Sequence, residues 1–104
     1  MTAFVIVTLK VHDRSWLNDY VANVPAIVRQ HGGRYIAIGT QISVEEGEGS
    51  APDQIAILSY PTLADLRASL SSPDYAPYRD SRMGKADTQI LAFEAIHSEF
   101  HETP

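Results

Sequence analysis

The sequence predicts an α+β fold in which helices cover one face of a four-stranded antiparallel sheet. Three observations predict it. Four stretches are rich in β-branched and aromatic residues, two stretches carry apolar residues at three- and four-residue steps, and the two kinds alternate as β-α-β-β-α-β. The 104 residues, 44% hydrophobic and 20% charged, suit one domain with one core. Residues 1–104 are therefore read as a single domain, with a core over 3–96 and a polar tail over 97–104.

The first strand is expected over 3–11, where Val5, Val7, Leu9 and Val11 fall on one face and Phe4, Ile6, Thr8 and Lys10 on the other. The first helix is expected over about 14–31, with Leu17, Tyr20, Val21, Val24, Ile27, Val28 and His31 on one stripe. Asp13 or Ser15 is placed to cap its start, Pro25 to kink or split it near Asn23-Val24, and Gly32-Gly33 to end it. The second strand is expected over 34–45, with Gly39 marking a bulge or a close approach of another group. Residues 46–53 read as a solvated loop. The third strand spans 54–60, and Pro61 stops it. Thr62, with Asp65 three residues on, opens the second helix, whose buried stripe is Leu63, Leu66 and Leu70. A short helical turn is expected over about 74–83, with Pro73 pre-set for its start and Gly84 at its end. The last strand is expected over 87–96, Leu91 and Phe93 on one face and Ile90 and Ala92 on the other.

This element order has a compact solution, the ferredoxin-like sheet with both helices on one side. The uncovered face is expected to carry Phe4, Ile6, Tyr35, Ala37, Leu58 and Tyr60. Such a face is too apolar to stay exposed, and two copies packed sheet to sheet would cover it. A homodimer is the expected partner.

Charge and composition narrow the function. The formal net charge is −5, from 8 Lys+Arg and 13 Asp+Glu, and no basic stripe with interleaved aromatics occurs, which argues against nucleic acid as a partner. The absence of cysteine removes disulfides, thiolate ligands and a Cys nucleophile together, and fits a reducing cytoplasm. No cationic leader precedes the first apolar run, which is far too short to span a membrane.

Tyr20…Pro25, His31-Gly32-Gly33-Arg34-Tyr35, Glu46-Gly47 and Ser72-Pro73-Asp74-Tyr75, followed by Arg79 and Arg82, occur here in that order. In these features the chain resembles the thirteen-thirty family of domains of unknown function, within the dimeric α/β-barrel superfamily, over residues 3–96. The resemblance implies a ferredoxin-like protomer and a dimer closed through its sheets. It implies no single activity, since the superfamily includes cofactor-free monooxygenases, haem-degrading enzymes, isomerases and polyketide-shaping proteins. The haem-degrading pattern looks for an Asn on the first strand, and residues 3–11 contain none.

Several residues are candidates for ligand binding. Tyr35 and Tyr60, with Thr8 and Gln41, are placed inside the barrel between two sheets, either as donors to a ligand or as interface packing. His12, beside Asp13, is either an oriented base or a surface residue next to a cap. His31 either packs at a helix end or acts in catalysis. Arg79 and Arg82, with Tyr75 and Tyr78, either recognise a carboxylate or enolate or pair with acidic loops. His97 and His101, near Glu94 and Glu99, have a metal-like spacing but lie in a tail, and no metal is expected. No phosphate loop, nucleophile elbow, His-Glu-x-x-His or dinucleotide fingerprint occurs, so no cofactor is expected either. The functional expectation is a cofactor-independent enzyme or binding protein for an aromatic or polyketide-like compound, acting by proton transfer or oxygenation. The alternative is a non-catalytic dimerisation or ligand-sensing module.

Overall fold

The computed structural model describes residues 2–96. In order, its elements are β1 (Ala3–Val11), α1 (Leu17–Gln30), β2 (Arg34–Thr40), β3 (Gln54–Tyr60), α2 (Leu63–Leu70), α3 (Ala76–Arg82) and β4 (Ala86–Glu94). The strands form one four-stranded antiparallel sheet in the order β2-β3-β1-β4, which is the ferredoxin-like arrangement. β1 lies between β3 and β4 and pairs with both, Val5 opposite Leu58 on one side and Ala92 on the other. Antiparallel partners share a face. Ala3, Val5, Ala56, Leu58 and Tyr60 therefore point together and are buried against Val24, Ile27 and Val28 of α1 and Leu66 of α2. A smaller cluster, Leu9, Trp16 and Ala86, continues the core at one end.

The opposite face has no helix on it among the described residues. It carries Phe4 beside Phe93, Ile6 between Ile57 and Leu91, and Thr8 between Ile55 and Gln89. Leu58 and Tyr60 belong to the helix side instead, because the register pairs Val5, not Ile6, with Leu58. β3 has large apolar residues on both faces, so its alternation alone does not say which face is covered. Tyr35 also moves to the helix side. The extra residue lies between Tyr35 and Ala37, where the β2–β3 register shifts, and it brings Tyr35 opposite Leu58 and Ile38 opposite Ala56. Gly39, expected to mark the bulge, faces open space instead.

Local chemistry explains most boundaries. Neither Asp13 nor Ser15 caps α1, whose first flanking residue is Trp16. Asp13 instead accepts a hydrogen bond from the Ser15 backbone N–H at 2.8 Å, a turn that precedes the helix. That bond comes first among the causes that lower the Asp13 carboxyl pKa. α1 runs through Pro25 without a break. The carbonyl that loses its partner there belongs to Val21, which is 64% exposed, so water can replace the bond. Gly32 ends the helix at φ +79°, and the Gly33 N–H donates to the Val28 carbonyl at 2.9 Å. β2 is shorter than expected, because Gln41 turns the chain with φ +57°. Asp53 ties the following loop to β1, its carboxylate accepting from the Val11 N–H at 2.7 Å. Thr62 caps α2 and exchanges hydrogen bonds with Asp65, as its spacing predicts. α3 starts with Pro77, not Pro73, in its first turn.

Gly33 is the most closely packed of the described glycines. A Cβ there would lie 2.6 Å from Val28 Cγ1 and 2.7 Å from Tyr60 Cε2. Gly33→Ala is expected to force the Tyr60 ring aside and to cost about 1–3 kcal/mol, read as a lower midpoint in urea denaturation.

Candidate ligand site between sheet and helices

One cavity of about 400 Å³ lies between the covered sheet face and the helices. The alternation of β1 and β3 supplies its floor, Val5, Val7, Leu9, Ala56 and Leu58, and α1 and α2 supply Val24, Val28, Leu66 and Leu70. Its exposed lining residues, Val21, Arg29 and Ile38, lie on α1 and β2, so it opens along the gap between those two elements.

Four phenols enter this apolar space: Tyr20 from α1, Tyr35 from β2, Tyr60 from β3 and Tyr75 from the turn before α3. Tyr20 and Tyr75 join hydroxyl to hydroxyl at 2.9 Å. Arg82 Nη2 donates to the Tyr75 hydroxyl at 3.3 Å. Trp16 stands edge-on to Tyr20, with ring centroids 5.2 Å apart, and Tyr20 stands edge-on to Tyr75 at 6.2 Å. The Tyr60 hydroxyl donates to Ser69 Oγ at 3.2 Å. Burial raises the pKa of Tyr20 most strongly, and the neighbouring Tyr75 adds to it while Arg82 opposes. Burial also raises those of Tyr35 and Tyr60, with Ser69 opposing in the latter case. All three phenols are therefore neutral donors at physiological pH.

Arg82 is 7% exposed, and no carboxylate among the described residues lies within ion-pair distance of it. Its Nε has no hydrogen-bond partner, and neither does Trp16 Nε1. Among the described residues, no Asp, Glu or His lines the cavity.

The expected site residues separate into two groups. Tyr35, Tyr60 and Arg82 converge on the cavity, though the phenols lie under the helices and not between two sheets. His12, His31 and Arg79 do not line it. His12 meets Asp87 at 2.9 Å on the surface, and His31 Nδ1 lies 3.0 Å from the Ile27 carbonyl at the end of α1. Arg79 is turned outward toward Asp80 at 3.8 Å, with a side chain 44% exposed. His97 and His101 lie outside the described residues. Trp16 and Ser69 carry no signal in the sequence, and Tyr20, part of the family resemblance and of the α1 stripe, reads there as packing and not as a polar group of a site, although it is the one hydroxyl on that buried ridge.

The raised phenols fix the sign of an alkaline effect. Each holds its proton more tightly folded than unfolded, so its contribution is whole below the ordinary value of 10.0 and is lost as pH climbs beyond it. Urea midpoints should stay level up to about pH 9 and fall above about pH 10. Tyrosine absorbance should titrate in two stages, with the buried phenols ionising only on unfolding.

Solved structures that share this fold include the following three. The RPA0582 protein of unknown function from Rhodopseudomonas palustris has a TM-score of 0.77 at 12% identity, covering 93% of this chain and 84% of its own. SnoaB, a cofactor-independent oxygenase from Streptomyces nogalater, has a TM-score of 0.66 at 12% identity, covering 94% and 96%. A dimeric ferredoxin-like protein of unknown function from Thermobifida fusca has a TM-score of 0.55 at 16% identity, covering 91% and 92%. At these identities the likeness is one of fold. No curated protein matches the chain significantly in sequence. The family model described as Domain of unknown function (DUF1330) matches residues 2–96, nearly the whole chain, and the chain belongs to that family.

Proposed function

We propose that this protein binds a small, largely apolar molecule in the cavity between its sheet and its helices, and that it does so as a homodimer. The carrying observation is the cavity of about 400 Å³, within the usual range for small-molecule sites, with phenols and a guanidinium converging in an otherwise apolar wall. An aromatic or polyketide-like compound suits that lining. Such a molecule can supply its own electrons for proton transfer or oxygenation, so the protein need only orient it, exclude water and donate hydrogen bonds from neutral phenols. The fold likeness to a cofactor-independent oxygenase supports this chemistry. A second reading, a ligand sensor without catalysis, is favoured by a specific observation: among the described residues no histidine or carboxylate lines the cavity to act as a base.

The dimer reading rests on the open sheet face. Leu91 and Phe93 are 48% and 50% exposed there, beside Ile6 and Ile57. Covering such a strip of aliphatic and aromatic surface is favourable by about 25 cal/mol per Å². The dimeric state of the Thermobifida fusca neighbour supports the same arrangement. Among the described residues no helix is long and apolar enough to cross a membrane. We place the protein in the cytoplasm, where a chain without cysteine is at no disadvantage.

Two experiments test this. A thermal-shift screen of aromatic compounds should find ligands that stabilise the protein, by about 2.7 kcal/mol at a hundredfold excess over Kd. Ala56→Phe, which fills the cavity floor, should abolish the shift in a folded protein. A shift that survives that substitution would move the site elsewhere. In gel filtration the parent chain should elute at twice its 11.5 kDa, and Leu91→Asp should elute as a folded monomer. An unchanged elution volume for the variant would exclude the sheet-to-sheet dimer.

A further inference from the structure

We infer that the ligand of this cavity is an organic anion, a carboxylate or an enolate on an apolar body, and that Arg82 binds its charged end. The inference rests on the cavity being the binding site and names the chemistry that it selects.

Three observations carry it. The first is a buried charge without a counter-charge. Arg82 is 7% exposed, a guanidinium keeps its proton in proteins, and no described carboxylate is within reach. Burying an ion unpaired costs several kcal/mol, and buried charges are ordinarily paired. A structural role does not need the charge, since the one hydrogen bond that the Arg82 side chain makes among the described residues, to the Tyr75 hydroxyl at 3.3 Å, asks only for a neutral donor.

The second is a count of protons. Tyr20 and Tyr75 have two hydroxyl protons between them, and their shared 2.9 Å hydrogen bond uses one. The Tyr75 oxygen already accepts from Arg82. One phenol proton is therefore unspent, as is the Arg82 Nε–H, and the buried Trp16 Nε1–H also lacks a partner. These three unspent groups are all donors. Unspent donors on residues that line one cavity with a cation are complementary to an oxyanion, which accepts several hydrogen bonds and offers none.

The third is a contrast of charge. The whole chain has a formal net charge of −5, yet among the described residues the charged ones lining the cavity are Arg29, on its exposed margin, and Arg82, inside. A cavity wall whose described charges are all cations attracts anions against the overall field of an acidic protein.

The test uses the full chain and two probes of matched shape, 2-naphthoate and the neutral 2-naphthamide, titrated by calorimetry at one pH. The parent should bind the carboxylate more tightly than the amide by about tenfold or more, the scale of a charge-assisted hydrogen bond over a neutral one. Arg82→Met should bring the two affinities together. Arg82→Lys, which keeps the charge and loses the fork, should retain a reduced preference, and it serves if the methionine variant does not fold. Equal affinities for the two probes in the parent would overturn the anion assignment and leave the cavity as the binding site. A preference that persists in Arg82→Met would overturn the role of Arg82. Failure of both probes to bind at millimolar concentration would remove the cavity reading itself, and this inference with it.

Discussion

The central position of β1 governs the whole arrangement. It is paired along both edges, so its side chains have only two directions to take. Every even-numbered residue from Phe4 to Lys10 is sent to one side and every odd-numbered residue to the other. The helices cover only the odd side, and the two faces of a single strand thereby acquire different tasks. Val5, Val7 and Leu9 become the floor of a cavity. Phe4 and Ile6 join a sheet surface that no described helix covers.

Over that floor aromatic rings meet edge to edge in one row, Trp16 against Tyr20 and Tyr20 against Tyr75. The row also carries the polar groups inward. Tyr20 and Tyr75 hold each other by their hydroxyls, and Arg82 reaches the same oxygen from α3. The result is an apolar pocket with one strongly polar corner. That combination suits a ligand that is greasy over most of its surface and charged at one end.

Much of this was legible in the chain. The element order, the Gly32-Gly33 stop, the Thr62–Asp65 cap and the alternation of β1 and β4 follow from local chemistry, and the structure reproduces them. The facing of β3 was not legible, because Ile55 and Ile57 are as apolar as Ala56 and Leu58, and only the pairing with β1 says which pair is covered. Nor was the depth of Arg82. Arg79 and Arg82 lie three residues apart on one short helix and look alike in sequence, yet one meets solvent and the other the cavity. That difference depends on the way α3 lies against α1, a long-range contact that no local spacing encodes. Tyr20 was hidden for a related reason, since a phenol on a buried stripe looks like any other large residue until its hydroxyl finds a partner.

The irregularity between Tyr35 and Ala37 has a consequence for comparing this chain with its relatives. Which residue overhangs the cavity from the outer strand is decided there by chain length as much as by side-chain identity. A homologue one residue shorter at that point would present a different side chain to the pocket even if every remaining letter agreed. Gaps near position 36 in an alignment therefore alter the cavity wall as directly as substitutions do.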